Sequence, residues 1–503
     1  MTHVESLVIG GGIGGLQAAH TLAKLGLSPL LLEPRGSCGG LIFGAPIGGV
    51  WVDLGAESFA KRQPAVAALC AELGLETVDP AGASWVWSHR DGGFAVRIPH
   101  GILGIPADLD DPDVAGLLSD DGLARAREDL TMGPGPGADA ADLASLVETR
   151  LGPELLTRLV EPIAGGIHSA RPSSLAVDVV APGLREALAR EGSLVRAAAA
   201  VRASAPQGAV VASASGGMFT LPRALVRRIG ELGGQIATGR IVTAIARDGD
   251  TWRVTHCAAG RPADPAGTPV PDGDPVELTT ARLVIALDGR AALDLLRTVP
   301  EFEAGDWTLP RGADLAHVCL VLDAPELDAG PRGSGLLVAP DTEGAPARVA
   351  CKALTHYSIK WPRVVAGTGK HVLRVSYGRA DGPAPEPTLA GALADASTLL
   401  GVHLTEDQIA GHAVIRFPNS LPPQTPEHRA RVAALAERVD ALPGVAIIGS
   451  WFAGTGLAAV IPHAEVAAHR LADQTAPTPG GDAAPAATEP SAGQTTFTKV
   501  RSA

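Results

Sequence analysis

The chain has 503 residues, of which 46% are hydrophobic and 19% are charged, and its formal net charge is -13 at pH 7. A chain of this length and composition is expected to form two or three globular domains rather than one core. The acidic balance excludes nucleic acid as a general partner, because no basic stripe occurs along the sequence.

The sequence contains five scattered cysteines, at Cys38, Cys70, Cys257, Cys319 and Cys351. Their number is odd and none forms a CxxC pair, so neither a disulfide framework nor a metal site is expected, and a reducing cytoplasm fits. We expect no N-terminal signal, because the first apolar stretch runs directly into a glycine-rich turn. No apolar run is long enough to span a membrane.

The first structural motif is a short apolar strand at 6–9, followed by a GxGxxG run and a helix at 16–25. Gly10 permits a tight turn, Gly12 lets the backbone approach a pyrophosphate, and Gly15 lets the helix pack closely on the strand. The helix N-terminus then offers free N–H groups to phosphates. The run therefore predicts a dinucleotide-binding loop.

A second apolar strand at 29–32 ends in Glu33, where a carboxylate can accept hydrogen bonds from ribose hydroxyls. The pair Gly39 and Gly40 is suited to backbone contact with the same dinucleotide. A plain glycine-rich turn is disfavoured, because strand, turn, helix, strand and acid follow one another in the required order.

The predicted sheet is then interrupted after two strands by glycine-rich loops. A nicotinamide-binding domain would continue with alternating strands and helices, whereas these loops could cover a bulkier cofactor. A strand at 50–53 turns sharply at Gly55, and an amphipathic helix follows at 63–73. Residues 108–205 are rich in alanine, leucine and charged residues at helical spacing and predict a helical insertion. Proline and glycine break it at 133–137.

The α/β pattern returns from Gly216 onward. It predicts a helix at 221–232, strands at 235–238, 241–245, 252–255 and 282–287, and a solvated hairpin tip at 258–275. A second sheet is expected within 291–440, with strands at 316–322 and 372–377. A returning strand at 445–449 and a helix from about 462 to 471 close the fold, and residues 475–503 read as a disordered tail.

Several landmarks occur in a selective order. They are Gly55-Ala56-Glu57-Ser58-Phe59, the run 159–167 ending in Gly165-Gly166-Ile167, Gly216-Gly217-Met218-Phe219, Lys360-Trp361-Pro362, and Gly454-Thr455-Gly456-Leu457. Through them the chain, to about residue 473, resembles the FAD-dependent porphyrinogen oxidases of haem synthesis within the amine-oxidase-like flavoproteins.

The resemblance implies an α/β fold with α+β elements. A Rossmann-like FAD-binding domain would be joined to a mixed-sheet substrate domain and a helical insertion. The expected segments are 1–85, 206–290 and 441–474 for FAD binding, 86–107 and 291–440 for substrate, and 108–205 for the insertion.

The resemblance also implies site residues and a non-covalent FAD. Cofactor contacts would come from Gly10, Gly11, Gly12, Ile13, Gly14, Gly15, Glu33, Pro34, Gly39, Gly40, Gly55, Ala56, Glu57, Ser58, Val242, Phe417, Thr455, Gly456 and Leu457. The carbonyl of Gly166 would orient the pyrrole N–H groups of the substrate. Substrate contacts would come from Arg62, His168, Arg171 and Lys360. Each cation also has an ordinary alternative as a solvated surface charge.

The implied activity is oxidation of coproporphyrinogen III to coproporphyrin III, with six electrons passed to molecular oxygen to give hydrogen peroxide. The alternatives are a protoporphyrinogen IX oxidase, another flavoenzyme such as an amine oxidase or carotenoid desaturase, and a redox-silent FAD-binding scaffold. Ser37, Phe417 and Ala458 depart from the family pattern. Peripheral membrane contact through the insertion is left open, as is the choice between monomer and homodimer.

Overall fold

The structure is a computed structural model that describes residues 2–168, 170–204, 209–262, 267–340, 349–379, 382, 385–420 and 425–474. It divides into two compact units. Unit one comprises Met1–Leu41, Pro222–Thr308 and Arg429–Ala503, and unit two comprises Ile42–Leu221 and Leu309–His428. The predicted tail at 475–503 lies outside the described residues, as does part of the predicted hairpin tip.

The described strands are numbered in chain order. They are β1 (Thr2–Val4), β2 (Ser6–Ile9), β3 (Pro29–Glu33), β4 (Gly44–Ile47), β5 (Val50–Asp53), β6 (Phe59–Ala60), β7 (Thr77–Val78), β8 (Ser84–Ser88), β9 (Phe94–Arg97), β10 (Gly101–Ile102), β11 (Ile105–Pro106), β12 (Val211–Ala214), β13 (Gln235–Thr238), β14 (Arg240–Asp248), β15 (Thr251–Gly260), β16 (Val270–Thr280), β17 (Leu283–Ile285), β18 (Ala313–Leu322), β19 (Gly335–Val338), β20 (Ala353–His356), β21 (His371–Tyr377), β22 (Ile409–Ser420) and β23 (Val445–Ile447).

The described α-helices are numbered in the same way. They are α1 (Ile13–Lys24), α2 (Ala65–Glu72), α3 (Pro112–Leu117), α4 (Asp120–Arg127), α5 (Leu143–Leu151), α6 (Pro153–Leu155), α7 (Glu161–His168), α8 (Val177–Val180), α9 (Leu184–Glu191), α10 (Leu194–Ser204), α11 (Thr220–Glu231), α12 (Gly289–Leu296), α13 (Tyr357–Lys360), α14 (Leu389–Leu400), α15 (Pro426–Ala441), α16 (Ser450–Ala453) and α17 (Leu457–Asp473). Among the described residues, no helix is long and apolar enough to cross a membrane.

Unit one is built on a five-stranded parallel sheet with the order β13-β3-β2-β17-β23. In chain order this is 3-2-1-4-5, so the order reverses beside β2, where the glycine run begins. All four residues of β2 are buried, as expected for a central parallel strand covered on both faces. Ligands of such sheets bind beyond the carboxyl ends of the strands at the reversal.

A second sheet of unit one has the order β1-β16-β15-β14. Its hairpin differs from expectation: β15 runs to Gly260 and β16 starts at Val270, so both ends of the predicted tip at 258–275 are strand. The closing helix also differs, because α17 begins at Leu457 and contains Pro462 within it. Pro462 removes one backbone donor but does not stop the helix, whose buried alanines and leucines pack against α1.

Unit two contains a seven-stranded mixed sheet with the order β22-β18-β21-β20-β19-β8-β9, in which only the β8–β19 pair is parallel. One face packs against α14 through a cluster that includes Leu320, Leu373 and Leu399. The other face is covered at one end by the β4–β5 hairpin and Trp361. The insertion helices cover its other end through Leu159 and Ile163.

The insertion is helical, as predicted, and has its own apolar core. Its glycine- and proline-rich segment is held by Arg150, which is fully buried and pairs with the fully buried Asp129 at 2.5 Å. The same guanidinium donates to the carbonyls of Gly133 and Gly192. Arg150 therefore supplies hydrogen-bond donors to carbonyls of this irregular segment.

The division into two units can be compared with the domain segments expected from the sequence. Residues 42–85, expected with the FAD-binding segment, group with unit two. The reason is strand pairing: β8 joins the seven-stranded sheet beside β19, and Val50 and Val52 pack on its face. The predicted fold class, an α/β protein with a Rossmann-like domain, a mixed sheet and a helical insertion, is confirmed.

Candidate functional site

The glycine run of unit one is fixed by close packing at two positions. An added Cβ at Gly10, whose φ is +104°, would lie 2.4 Å from the carbonyl oxygen of Ala286 on the neighbouring chain segment. An added Cβ at Gly15 would lie 1.9 Å from the carbonyl oxygen of Gly10. Both glycines are therefore required for α1 to start directly beside β2 and β17.

Gly12 differs from Gly10 and Gly15, because its surroundings are open rather than crowded. An added Cβ there would meet no protein atom within 4 Å, so the space above its backbone is open. Gly12 is also the N-cap of α1, and no side chain caps this helix. The first turn therefore presents backbone N–H groups and the positive end of the helix dipole to that space.

The pair Gly39–Gly40, a predicted cofactor contact, lies directly beside the glycine run. The N–H of Gly39 donates to the carbonyl of Gly11 at 2.8 Å, and Gly39 bridges Gly12 in parallel. Gly40, with φ +61°, approaches so closely that an added Cβ would lie 3.2 Å from the Cα of Gly12. The two glycine segments thus form one backbone cradle.

Glu33 lies at the end of β3 and is only 8% exposed. Its two carboxylate oxygens accept backbone N–H groups from Gly11, at 2.7 Å, and from Arg35, at 2.8 Å. Burial raises the pKa of this carboxyl, and the two backbone donors and Arg35 oppose that rise. Glu33 therefore holds the glycine run in place, and each oxygen keeps a further lone pair that a ribose hydroxyl could use.

A second uncapped helix N-terminus belongs to the same unit. Gly456, with φ +91°, is the N-cap of α17, no side chain caps this helix, and an added Cβ would meet no atom. Thr455 and Gly456 are exposed, whereas Leu457 is buried. Gly14 lets the two helices approach, since an added Cβ there would lie 2.7 Å from the side chain of Ile448 and 3.0 Å from that of Val460.

These residues fit a dinucleotide cofactor. Two helix N-termini without side-chain caps, an open cradle at Gly12 and a carboxylate at the end of the second strand match the donors and acceptors that such a ligand needs. Val242 is half-buried on β14 beside a bulge in its pairing with β15, and Pro34 is half-buried after Glu33. Among the described residues, no cluster of side chains could hold a metal ion.

In unit two, the Glu57 cluster consists of Glu57, Lys360, Arg374 and His317. The carboxylate of Glu57 accepts from the Lys360 ammonium at 2.6 Å and from the Arg374 guanidinium at 2.8 Å. Burial alone would raise the pKa of Glu57, but Lys360 and Arg374 outweigh it and lower this pKa to about 2. Glu57 is thus a fixed anion at neutral pH.

His317 is held by the same guanidinium. Arg374 donates to Nδ1 of His317 at 2.8 Å and to the carbonyl of Gly55 at 2.9 Å. Burial and then the charge of Arg374 lower the pKa of His317 to about 3. The imidazole is therefore neutral, and because Nδ1 accepts, its proton lies on Nε2. Its ring packs edge-on against Phe417 at a centroid distance of 5.3 Å.

Asp53 links two of the sequence landmarks that are far apart along the chain. This fully buried carboxylate accepts from the backbone N–H groups of Met218, at 2.9 Å, and Phe219, at 2.8 Å. It also accepts from the hydroxyl of Tyr357 at 2.8 Å. Burial raises the pKa of Asp53 to about 6, against the effect of these donors. Asp53 thereby joins the Gly216–Phe219 loop to the segment that carries Lys360 and Trp361.

The predicted substrate residues of unit two differ in their exposure and pairing. Lys360 is paired with Glu57 and is only 22% exposed, so it is not an ordinary solvated surface charge. Arg62 and Arg171 are both exposed. Gly166 is exposed on α7, where an added Cβ would lie 3.0 Å from the side chain of Leu337. His168 is the last residue of the same helix.

The remaining predicted cofactor residues of unit two lie around the Glu57 cluster. Gly55 is buried and supplies a carbonyl to Arg374, whereas Ala56 and Ser58 are half-buried. Sequence reasoning missed Asp53, Tyr357, His317 and Arg374. A signal existed for Arg374, because a charged residue that follows Val372 and Leu373 and precedes Val375 within a strand must have a buried partner. His317, likewise an isolated polar residue within β18, carries the same signal.

The parallel sheet and its glycine cradle define a dinucleotide-binding protein of the Rossmann-like class. The family model described as "Flavin containing amine oxidoreductase" matches residues 13–475. The chain belongs to this family. It is an FAD-dependent oxidoreductase, and the prediction of FAD as its cofactor is confirmed.

Similar curated proteins cover nearly the whole chain. It is 29% identical over 492 residues to "Coproporphyrinogen III oxidase" of Mycobacterium leprae, which covers 95% of this chain and 100% of that protein. It is 30% identical over 480 residues to the protein of the same name from Mycobacterium tuberculosis, with 92% and 96% covered. The protein of that name from Bacillus subtilis is 24% identical over 470 residues, with 90% and 94% covered.

Similar solved structures support the fold. A protein from Exiguobacterium sp. 255-15 assigned as a protoporphyrinogen oxidase has a TM-score of 0.74 at 23% identity, covering 94% of this chain and 99% of that one. Reduced UDP-galactopyranose mutase has a TM-score of 0.64 at 14% identity, with 94% of each chain covered.

Proposed function

We propose that this protein oxidises coproporphyrinogen III to coproporphyrin III and passes the electrons to molecular oxygen. The observation that carries the proposal is the similarity, over at least nine-tenths of this chain, to curated proteins named coproporphyrinogen III oxidase. The reaction removes six hydrogens from the macrocycle in three two-electron steps. Three molecules of oxygen would take them up and leave as three molecules of hydrogen peroxide.

FAD, when bound, supplies the two-electron acceptor that each of these steps requires. The glycine cradle and the N-termini of α1 and α17 would bind its phosphates, and Glu33 would orient its ribose. In unit two, Gly55, Ala56, Glu57, Ser58 and Phe417 are proposed to contact the cofactor. These assignments rest on the family and on the positions of the residues within each unit.

The chemistry available to the Glu57 cluster is limited by its charges. Glu57, with a pKa of about 2, stays ionised, and His317, with a pKa of about 3, stays neutral at physiological pH. Neither group is poised to remove a proton near pH 7. We therefore propose that the cluster positions its neighbours and that His317 offers an N–H donor. The protons of the macrocycle would leave to solvent.

The proposed substrate site lies on the face of the seven-stranded sheet between the β4–β5 hairpin and the insertion. Alternate residues of β18 and β21 place His317, Arg374 and Ser376 on this face. At the insertion end, Leu337 packs against Gly166 of α7. A carbonyl at Gly166 could accept pyrrole N–H groups, the role that the resemblance implies.

The test is a direct assay of the purified FAD-loaded protein. Coproporphyrinogen III should be converted to fluorescent coproporphyrin III, with consumption of three molecules of oxygen and formation of three of hydrogen peroxide per macrocycle. Porphyrin formation without oxygen consumption would contradict the proposed acceptor. Absence of porphyrin above the non-enzymatic rate would contradict the proposed function.

A protoporphyrinogen IX oxidase is the second candidate. "Protoporphyrinogen oxidase 1, chloroplastic" of Spinacia oleracea is 24% identical over 326 residues and covers 60% of this chain. The shorter match favours the coproporphyrinogen substrate. Parallel assays with both porphyrinogens decide between them by the ratio of their kcat/KM values. We further propose a cytoplasmic location, which agrees with five free cysteines.

A further inference from the structure

Lys352 immediately precedes β20, which lies between β21 and β19 in the seven-stranded sheet of unit two. Its N–H donates to the carbonyl of Ser376 at 2.7 Å, and its carbonyl accepts from the N–H of Val338 at 2.9 Å. Ser376 on β21 pairs with His317 on β18. Leu337, which precedes Val338 on β19, packs against Gly166. The backbone of Lys352 is thus fixed between the Glu57 cluster and the insertion helix α7.

The side chain of Lys352 has an unusual electrostatic environment. It is half-buried, and among the residues that the structure describes none pairs with its ammonium. The charge of Arg379, whose guanidinium donates to the carbonyl of Val338, acts on Lys352. The charge of Lys352 in turn contributes to the lowered pKa of the neutral His317. The nearby carboxylate of Glu161 acts on Arg379.

A half-buried ammonium flanked by a second cation loses hydration without gaining an ion pair. Natural sites retain such a group where a ligand supplies the missing anion. The cations predicted from the sequence fit this role less well, because Lys360 already neutralises Glu57 and both Arg62 and Arg171 are exposed.

We propose that Lys352 binds a carboxylate of the porphyrinogen and selects substrates by that contact. This inference rests on the proposed function and names the residue that recognises the substrate class. A tetracarboxylate such as coproporphyrinogen III can place a carboxylate here in more orientations than a dicarboxylate such as protoporphyrinogen IX. Lys352 would therefore contribute more to binding the former.

The protonation of Lys352 agrees with this role. Burial, and then the charge of Arg379, lower the pKa of Lys352 to about 8. The side chain of Lys352 is a charged ammonium below this pH and a neutral amine above it. The affinity for a carboxylate should therefore fall as pH rises through about 8. His317 does not interfere, because its pKa of about 3 keeps it neutral throughout.

Binding can be measured on the FAD-loaded protein without turnover, by Soret-band titration with coproporphyrin III and with its tetramethyl ester. Lys352→Met should weaken binding of the free acid by about tenfold or more, the value of a desolvated charge-assisted contact, and leave the ester unchanged. Lys352→Arg should retain affinity and remove its dependence on pH near 8. Lys370→Met is the matched control, because Lys370 pairs with Asp323 elsewhere in unit two.

The outcomes separate the two proposals. If the wild-type protein binds coproporphyrin III and Lys352→Met binds it equally well, the role of Lys352 is overturned while the proposed function stands. Equal losses for free acid and ester, with normal flavin content and melting temperature, would also overturn it, since charge would not be the cause. If the wild-type protein neither binds nor oxidises the macrocycle, the proposed function itself fails.

Discussion

The ammonium of Lys360 lies 2.6 Å from the carboxylate of Glu57, although 303 positions separate the two residues in the chain. Each belongs to a sequence landmark, Gly55-Ala56-Glu57 or Lys360-Trp361-Pro362, and the structure joins these landmarks through an ion pair. The side chains are 22% and 14% exposed, respectively, so solvent screens the pair only in part. Arg374 binds the second oxygen of Glu57 and keeps that anion compensated.

We predict that Lys360→Met lowers the free energy of unfolding by about 1–3 kcal/mol at pH 7, because Glu57 loses one of the two ion pairs that the described residues give it and keeps that with Arg374. The folded pKa of Glu57, about 2, lies below its ordinary value of 4.5. Its contribution to stability is therefore present above about pH 4.5 and is lost as pH falls toward 2.

Urea unfolding between pH 3 and pH 7 measures this effect, and Lys370→Met serves as the control for loss of a lysine. The variant should show a smaller decrease in stability on acidification than the wild type. Parallel curves for the two proteins would contradict the assigned ion pair.

The second prediction concerns the hydrogen bond between Tyr357 and Asp53. Tyr357→Phe removes a donor that stabilises the ionised carboxyl, so the pKa of Asp53 should rise above its present value of about 6. Because this folded pKa lies above the ordinary value of 3.8, stability is fully present below about pH 3.8 and falls as pH rises through about 6. The variant should extend that fall to higher pH.

We expect an accompanying loss of about 1–2 kcal/mol at pH 7, measured by denaturant unfolding from pH 4 to pH 8. Tyr377→Phe is a matched control, since its hydroxyl donates to Asp395 on α14 at 2.9 Å. A pH profile that changes equally in both variants would show that Asp53 is not the titrating group.

Replacement of glycine by valine should have different effects at two positions of the glycine run. Gly12→Val should fold, because an added Cβ meets no protein atom, but should purify without flavin absorbance. Gly15→Val should not fold normally, because its Cβ would overlap the carbonyl of Gly10. Gly36→Val is the control at an exposed and uncrowded position.

Circular dichroism and absorbance at the flavin bands distinguish these cases. Retention of a full complement of FAD by Gly12→Val would contradict the assignment of the cradle.

Arg171 provides a test of charge at an exposed position. Arg171→Glu should raise KM for coproporphyrinogen III more than for protoporphyrinogen IX, because the former has two additional carboxylates. The effect should stay within about fivefold, since an exposed charge contributes about 1 kcal/mol or less, and flavin content should be unchanged. Steady-state kinetics with both substrates measure it, and equal changes would remove Arg171 from substrate recognition.

The sequence by itself determined the nucleotide-binding part of this protein. Gly10, Gly12, Gly15 and Glu33 lie within one βαβ unit, whose strand, turn and helix follow from local periodicity, from the positive φ of Gly10 and from the close packing at Gly15. Their geometry is local in the chain, so the order of residue types was sufficient to predict the strand at β2, the cradle and the helix α1. The same reasoning placed α17 five residues too late, because it treated Pro462 as a helix start.

Only the tertiary structure decided which polar residues of unit two meet. Asp53 binds Tyr357, and Glu57 binds Lys360 and Arg374, across separations of about 300 residues that no periodic pattern reports. The charge of Lys360 is visible in the sequence, but its neutralisation depends on the folded position of Glu57. Conversely, Lys352 resembles any other lysine in the sequence, and it becomes a candidate ligand contact only because folding half-buries it without an ion-pair partner in the described part of the chain.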